Sequence, residues 1–600
     1  MILLKRLLTY AKLGLPNLAR VGIYRLGIKT ALHPVLRLRA DVASGPFFGT
    51  GERSVPPPPN SAWDDRLWWF GWHNVPMPDS PPDWFANPFS NILQPDATRD
   101  WWRIPDFGTG DIKGLWELSR MDWAVAWATA AASGDVAALE RLNLWLTDWA
   151  ESNPPYKGPN WKCGQEVSIR VMHLVTAAWV LGQDLSPKKG LIDLLRAHLQ
   201  RIAPTMSYAI GQQNNHGTSE AAALFIGGTF MVDFDPRANA WARKGRRWLE
   251  ERAEKLIATD GSFSQYSVTY HRMMLDTYAL VEAWRRHRGL AEFSAKLEQR
   301  LAAATNWLWA LTDCESGDAP NLGANDGARL LPLVGSDYRD FRPTVQLAAS
   351  LFLRADPFGP GPWSAPLNWF GVAEGKRCVA PSSQTIGQGG YHVLRKKSGM
   401  ALLRYPKFRF RPSQADALHV DLWHNGTNLL RDAGTFSYNA EDSFWFSGTA
   451  AHNTIEFDDR DQMPRLGRFL FGDWLNAEDV TRVTDDGTTA QAAAGYTDAT
   501  GARHYRAITL SEEAFDCHDT ISGNFEIARL RWRLAPGNWH VQGNAISNGI
   551  CYILIKIDDE PICPTLSTTI ESRYYQNKAA IKEISVSTKR PGKIVTKVIF

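Results

Sequence analysis

The stretch EVSIRVMHLVTAAWVLGQDLSPKKGLIDLLRAHLQRIAPTM, residues 166–206, holds two helical patterns parted by a break. Apolar residues recur at three- and four-residue steps on both sides of GQDLSP, whose Gly, Asp and Pro stop one helix before the next begins. The alternation continues outward in both directions. ELSRMDWAVAWATAAAS (117–133), AALERLNLWLTDWAES (137–152), TSEAAALFIGGTFMV (218–232), ANAWARKGRRWLEERAEKLIA (238–258), TYHRMMLDTYALVEAWRRH (269–287) and EFSAKLEQRLAAATNWLWAL (292–311) are each closed by Gly, Pro or Asp clusters. Several are apolar around most of their circumference, as at Trp123, Ala124, Val125, Trp127 and Ala128, which suits helices packed in two layers. Successive helices with short connections predict an antiparallel array, an incomplete α/α toroid, to about residue 315, with one more helix in TVQLAASLFLRA (344–355).

From about residue 385 the period shortens. GGYHVLRK (389–396), MALLRYPKFRFR (400–411), ALHVDLWHN (417–425), TNLLRDAG (427–434), HNTIEFD (452–458), HYRAITLS (504–511), ARLRWRLA (528–535) and CYILIKID (551–558) are short, β-branched or aromatic, and bounded by Gly, Asn or Asp. They predict an antiparallel β-sandwich. The fold class is therefore α+β multidomain: a basic amphipathic segment over 1–45, the toroid with its Pro/Gly linker over 46–384, and the sandwich over 385–600. Residues 41–115, with SVPPPPNSAWDD and PMPDSPPDWF, read as an irregular wrap around the helices.

Composition narrows the function. The 66 Lys and Arg nearly balance the 63 Asp and Glu, for a net charge of +3, which excludes a chain that binds nucleic acid over its whole surface. Six cysteines without a CxxC pair exclude a zinc ribbon and a disulfide scaffold. The 26 tryptophans should mostly be core, with a few left to stack on sugar rings. Residues 1–40 carry eight Lys or Arg and no acid, which reads either as short helices docked on the main domain or as peripheral membrane contact with an anionic lipid surface. No run of 18 apolar residues predicts a membrane span, and no secretory cleavage pattern is evident, so the reading stays open between the periplasm and the cytoplasm of a bacterium.

Three segments could carry chemistry. Gln212 to Glu220 precedes an apolar helix, and Asn214, Asn215 and His216 at a helix N-terminus offer a seat for a carboxylate; a capping box accounts for Thr218 and Glu220 but not for the Asn-Asn-His run. In Gly261 to Arg272, Ser267 reads as an N-cap that puts Tyr270, His271 and Arg272 in the first turn. There the cationic neighbours would depress a phenol pKa from about 10, with Tyr266 in reserve. The third set is Gln414, Asp416, His419, His424, Asp432 and His452. In NWKCGQEVSIR, Trp161 could stack a sugar, Arg170 grip a carboxylate, and Gln165 and Glu166 face substrate. Asn325-Asp326-Gly327 reads as a turn first.

Taken together, NNHGTSEAAALF, DGSFSQYSVTYHRMMLD, QADALHVDLWHNGTNLLRDAGTFSYN and TAAHNTIEF resemble the heparinase II/III-like polysaccharide lyases, in matching order from about residue 115 onward. The resemblance implies cleavage of a uronic-acid-containing polysaccharide by β-elimination. Asn215 and His216 would pair with the uronate carboxylate, and Tyr270 would be the catalytic acid/base. It also implies zinc in a structural role and no organic cofactor. Asp432 and His452 fall on metal-ligand positions and Gln414 on the third, where the family has His. His419 could stand in catalytically, although strand alternation sets it opposite Gln414 and Asp416. The partner implied is an acidic polysaccharide or oligosaccharide, not nucleic acid. Two other readings compete: an inverting glycoside hydrolase using Glu166 and Asp326, and a non-catalytic polysaccharide-binding relative.

Overall fold

The computed structural model describes residues 2–50, 66–90, 98–105 and 110–600; SVPPPPNSAWDD lies outside them. The helical repeats form where the periodicity places them, at Asp122–Ala132, Val136–Ser152, Gly164–Val180, Lys189–Ile202, Asn215–Phe230, Ala238–Leu256, Val268–His287, Ala295–Leu311 and Arg342–Phe352. Short polar side chains start several of them: Asp135 accepts from the Ala138 N–H, Ser267 from Tyr270 and Ser294 from Leu297. The pattern begun at Glu117 becomes an α-helix only at Asp122, because Met121 takes a left-handed backbone (φ 64°) after a 3₁₀ turn. After Ile202 the chain turns through Pro204 and resumes in a separate helix, Met206–Gly211.

The Gly164–Val180 helix is buried from Gln165 to Val180. It packs against the Asp122, Lys189 and Asn215 helices. A helix covered on all sides cannot be amphipathic, which is why its sequence is apolar around the circumference. Trp84, Trp123, Trp127 and Trp145 meet edge-on or tilted, with ring centroids 4.7–5.8 Å apart. Each such pair is worth about 0.5–1.5 kcal/mol beyond its buried area. The expected tryptophan core is thus present.

Beyond Gln384 the described elements are predominantly antiparallel strands. One five-stranded sheet runs in chain order from Gln384–Ile386 through Tyr391–Arg395, Gly399–Arg404 and His419–His424 to Thr427–Leu430. A four-stranded sheet is ordered Ile455–Phe457, Ala528–Arg533, Ala579–Thr588, Thr565–Glu571. A nine-stranded sheet is built around Ala502–Leu510, Ala514–Gly523 and Gly592–Ile599. Ala502–Leu510 alternates buried with half-buried residues, as a strand with one covered face must. All six cysteines are free.

Hydrogen bonds join the two regions. Tyr266 Oη accepts the backbone N–H groups of Arg409 and Phe410 at 2.8 and 3.0 Å. Asn321 donates to the Ser572 carbonyl at 3.0 Å, and Ser437 to Asp111 at 2.8 Å. No described helix is long and apolar enough to cross a membrane. Leu15–Lys29 docks on Met206–Gly211, with Tyr24 stacked on Tyr208 at 4.1 Å.

Candidate active site

Helix starts and loops supply the site. Asn214 is the N-cap of the Asn215–Phe230 helix and accepts from the His216 N–H at 3.2 Å. The Asn215 N–H is held by Gln265 Oε1 at 2.8 Å, which ties this helix start to the loop preceding Tyr270. Burial pushes the His216 imidazole below its ordinary pKa, so it is neutral near pH 7. It lies within electrostatic reach of Lys113, Glu166 and Asp326, and its ring nitrogens have no hydrogen-bond partner among the described residues.

Tyr270 faces the same space. Its hydroxyl lies 3.0 Å from that of Tyr438 and in hydrogen-bonding contact with the Asp326 carboxylate. Asp326 is bridged to Lys113 Nζ at 2.6 Å, and Lys113 sits 5.4 Å over the Tyr438 ring. Tyr438 arrives from the sheet region on the loop that Ser437 anchors to Asp111, with its own N–H donated to Tyr575 Oη at 2.8 Å. The loop bearing Asp326 closes on Tyr266 and Ser267 through Gly323 (φ 76°), where a Cβ would lie 2.2 Å from the Tyr266 carbonyl; only glycine fits.

Electrostatics corrects one expectation. The phenol of Tyr270 is not depressed: burial, Asp326 and Tyr438 all raise it well above its ordinary value. His271 and Arg272 cannot help, because consecutive residues on a helix point about 100° apart. His271 Nε2 donates to the Ala304 carbonyl (2.8 Å) and the ring stacks on Trp307 at 4.3 Å, and burial pushes it down to about 3. Arg272 lies over Tyr338 and Phe341 at 4.2 and 4.6 Å. Neither is placed to bind substrate.

Other candidates are structural. Trp161 is fully buried and donates to the Asn153 carbonyl at 3.0 Å, so no sugar can reach its face. Arg170 is equally buried, donates to His198 and the Asn160 carbonyl, and packs on Trp149 and Trp161, so it grips no substrate carboxylate. Tyr266 braces the helical region against the sheet region, as described above. Glu166 remains beside the site, but both its oxygens are held by Arg120 at 2.7 and 3.1 Å. Gln165 is buried next to it with both amide atoms unpartnered.

Glu220 stands one turn beyond His216. Its Oε2 has no partner, and burial lifts its pKa to about 8. A carboxyl raised in the folded state contributes stability that is complete below about pH 4.5 and is lost as pH climbs through about 8. Glu220→Gln is therefore expected to melt with the native chain near pH 4.5 and several degrees above it at pH 8. Thermal melts at both pH values check this; an unchanged difference between them would show that Glu220 does not titrate with folding.

A second cluster lies in the sheet region. His452 Nδ1 is 2.8 Å from Asp432 Oδ2, and His419 Nε2 is 3.7 Å from the same oxygen and 2.9 Å from Asp421 Oδ2. One ligand atom each from His419, Asp432 and His452 fall within 4.8 Å of one another, all buried, and His452 Nε2 has no partner. That donor set fits a divalent ion. The strand starts only at His419, after Leu418 turns through φ 59°, so alternation does not extend back to Gln414. His419 belongs to this cluster and is fully buried, away from the surface that a polymer could reach. Gln414 instead lines a small pocket with Ser437, Tyr438 and Arg468, on the cleft side.

Known proteins resemble this chain across both regions. A family model described as heparinase II/III N-terminus matches residues 83–323, and one described as heparinase II/III-like, C-terminal, matches residues 380–572. The chain belongs to the heparinase II/III family. A curated relative, the heparin-sulfate lyase of Bacteroides thetaiotaomicron, is 23% identical over 385 residues, 59% of this chain; the match spans about half of that relative (53%). Among solved structures, heparinase III superposes with a TM-score of 0.63 at 17% identity, covering 86% of this chain and 87% of its own. The heparan sulfate lyase of Pedobacter heparinus gives 0.55 at 17% (97% and 88%), and the chondroitin AC lyase of Streptomyces coelicolor 0.53 at 12% (82% and 75%). At such identities these likenesses establish the fold.

Sequence reading does not single out Lys113 or Tyr438 as site residues, and it takes Asp326 as a turn first and otherwise only as half of the hydrolase pair. Lys113 lies in an unremarkable DIKGLW, Tyr438 sits inside the quoted GTFSYN without a charged neighbour, and Asp326 reads as a turn. Of Lys113 and Tyr438, Tyr438 alone carries a signal, as a tyrosine within a segment already resembling the family.

Proposed function

We propose that this chain is a polysaccharide lyase that cleaves an acidic, uronic-acid-containing polysaccharide by β-elimination, in a cleft between an incomplete α/α toroid (46–384) and a β-sandwich (385–600). The observation that carries the proposal is the convergence of the Asn215-His216 helix start with Tyr270, Tyr438, Asp326 and Lys113. Removing the proton at C5 of a uronate places negative charge on its carboxylate. The Asn215 amide, a neutral His216 imidazole and the positive end of the helix dipole lower the cost of that charge. Tyr270 then takes the C5 proton and returns one to the leaving glycosidic oxygen. Family membership and the activities named for the relatives support this reading.

The hydrolase alternative loses ground on charge. An inverting pair needs one protonated carboxyl. Although burial opposes ionisation of both, Arg120 holds Glu166 and Lys113 holds Asp326 below the usual carboxylate range. Incubation with heparan, chondroitin, hyaluronan and alginate polymers, followed by the ultraviolet absorbance of the conjugated unsaturated uronate, tests the proposal. New reducing ends without that chromophore would mean hydrolysis.

For the metal cluster the reading is zinc held by His419, Asp432 and His452, bracing the sheets. Added zinc is expected to raise the melting temperature of the native chain but not of Asp432→Asn, with Gln414→His leaving the shift unchanged. A zinc response created by Gln414→His would return the third ligand to position 414.

A further inference from the structure

We propose that the N-terminal helical segment is a docking surface for an anionic phospholipid membrane. The helix Leu15–Lys29 is apolar on two opposite faces. Its inner face carries Asn17, Val21, Tyr24 and Ile28, spaced by four, three and four residues, and lies on Met206–Gly211. That contact already anchors the helix. The outer face carries Leu15, Ala19, Gly22, Ile23 and Leu26, also at helical spacing, and all five are exposed. Leu15, Ile23 and Leu26 are 74, 71 and 63% exposed, and Leu32, just past the helix end, 68%. Stray exposed leucines need no explanation, but a stripe at a period of three to four residues along one helix is a surface built to be covered.

The charges around the stripe say what covers it. Arg25 and Lys29 are exposed on the same helix, Arg6 and Lys12 on the preceding helix Ile2–Lys12, and Arg37 and Arg39 in the segment that follows. No acid occurs in residues 1–40, and without the eight cations of this segment the rest of the chain is net acidic. A second copy of this chain would bring the same cations against themselves across a two-fold axis. A bilayer with anionic headgroups offers acyl boundary to the leucines and phosphates to the cations at once. Each Lys or Arg near such a surface strengthens binding by about fivefold, so six together are substantial. The inner face rests on the helix that leads directly into Gln212 to His216, so docking would hold the cleft close to the lipid.

The test is sedimentation of the full chain with vesicles of phosphatidylcholine alone and of phosphatidylcholine with phosphatidylglycerol, at low and high salt. The expected result is binding to the anionic vesicles only, weakened by salt. Ile23→Glu with Leu26→Glu, and separately Arg25→Glu with Lys29→Glu, should each lower partition by at least about tenfold. Both pairs change exposed positions, so melting temperature should stay at the native value. No binding to anionic vesicles, equal binding to neutral ones, or partition that survives both double substitutions would overturn the proposal. A vesicle-independent dimer that dissociates on Ile23→Glu with Leu26→Glu would overturn it in favour of a second copy.

Discussion

Tyr270→Phe is expected to lower kcat by about 10²- to 10⁴-fold, the range lost with a general acid or base, while polymer affinity changes little. The substitution removes one hydroxyl that contacts Tyr438 and Asp326 and leaves the ring in its buried seat. The melting temperature should therefore shift by only the small net worth of a hydrogen bond. Because burial, Asp326 and Tyr438 hold the phenol well above its ordinary pKa, the base form is scarce at neutral pH. If abstraction of the C5 proton limits the rate, kcat/KM of the native chain should rise with pH from neutral into the alkaline range, nearly tenfold per unit. Steady-state kinetics on the native and Phe proteins check both statements. More than about a tenth of native activity in Tyr270→Phe would remove Tyr270 from the acid/base role.

Asn215→Ala and His216→Ala are expected to lower kcat more than they raise KM, by roughly 10²-fold or more each. Their donors matter most when charge develops on the carboxylate, which occurs in the transition state and not in the bound substrate. The double variant should lose less than the product of the two single effects, since both serve one carboxylate. A carboxyl-reduced polymer is the complementary probe. Cleavage of it at the native rate would show that carboxylate neutralisation is not the mechanism.

The contrast between neighbouring residues explains what was legible. Tyr270, His271 and Arg272 are adjacent in sequence, and by sequence they share the first turn of one helix. On the helix they diverge, so Tyr270 reaches the cleft while His271 stacks on Trp307 and Arg272 on Tyr338. Conversely, Lys113, Asp326 and Tyr438 are hundreds of positions apart in part, and only the docking of the sheet region on the helices brings Tyr438 to Tyr270.

Sequence by itself determined the helices, because a period near 3.6 and Gly, Pro or Asp breaks are local properties of the chain. It also determined the change to strands near residue 385 and the Asn214 to His216 run at a helix start, for the same reason. The tertiary structure alone decided which polar residues are buried with partners and which face the cleft. Trp161 and Arg170 look like sugar-binding residues until neighbouring helices cover them, and His419 meets Asp432 and His452 only in the packed structure. Burial and the distance between remote side chains are set by packing between elements, and no local pattern of residues encodes them.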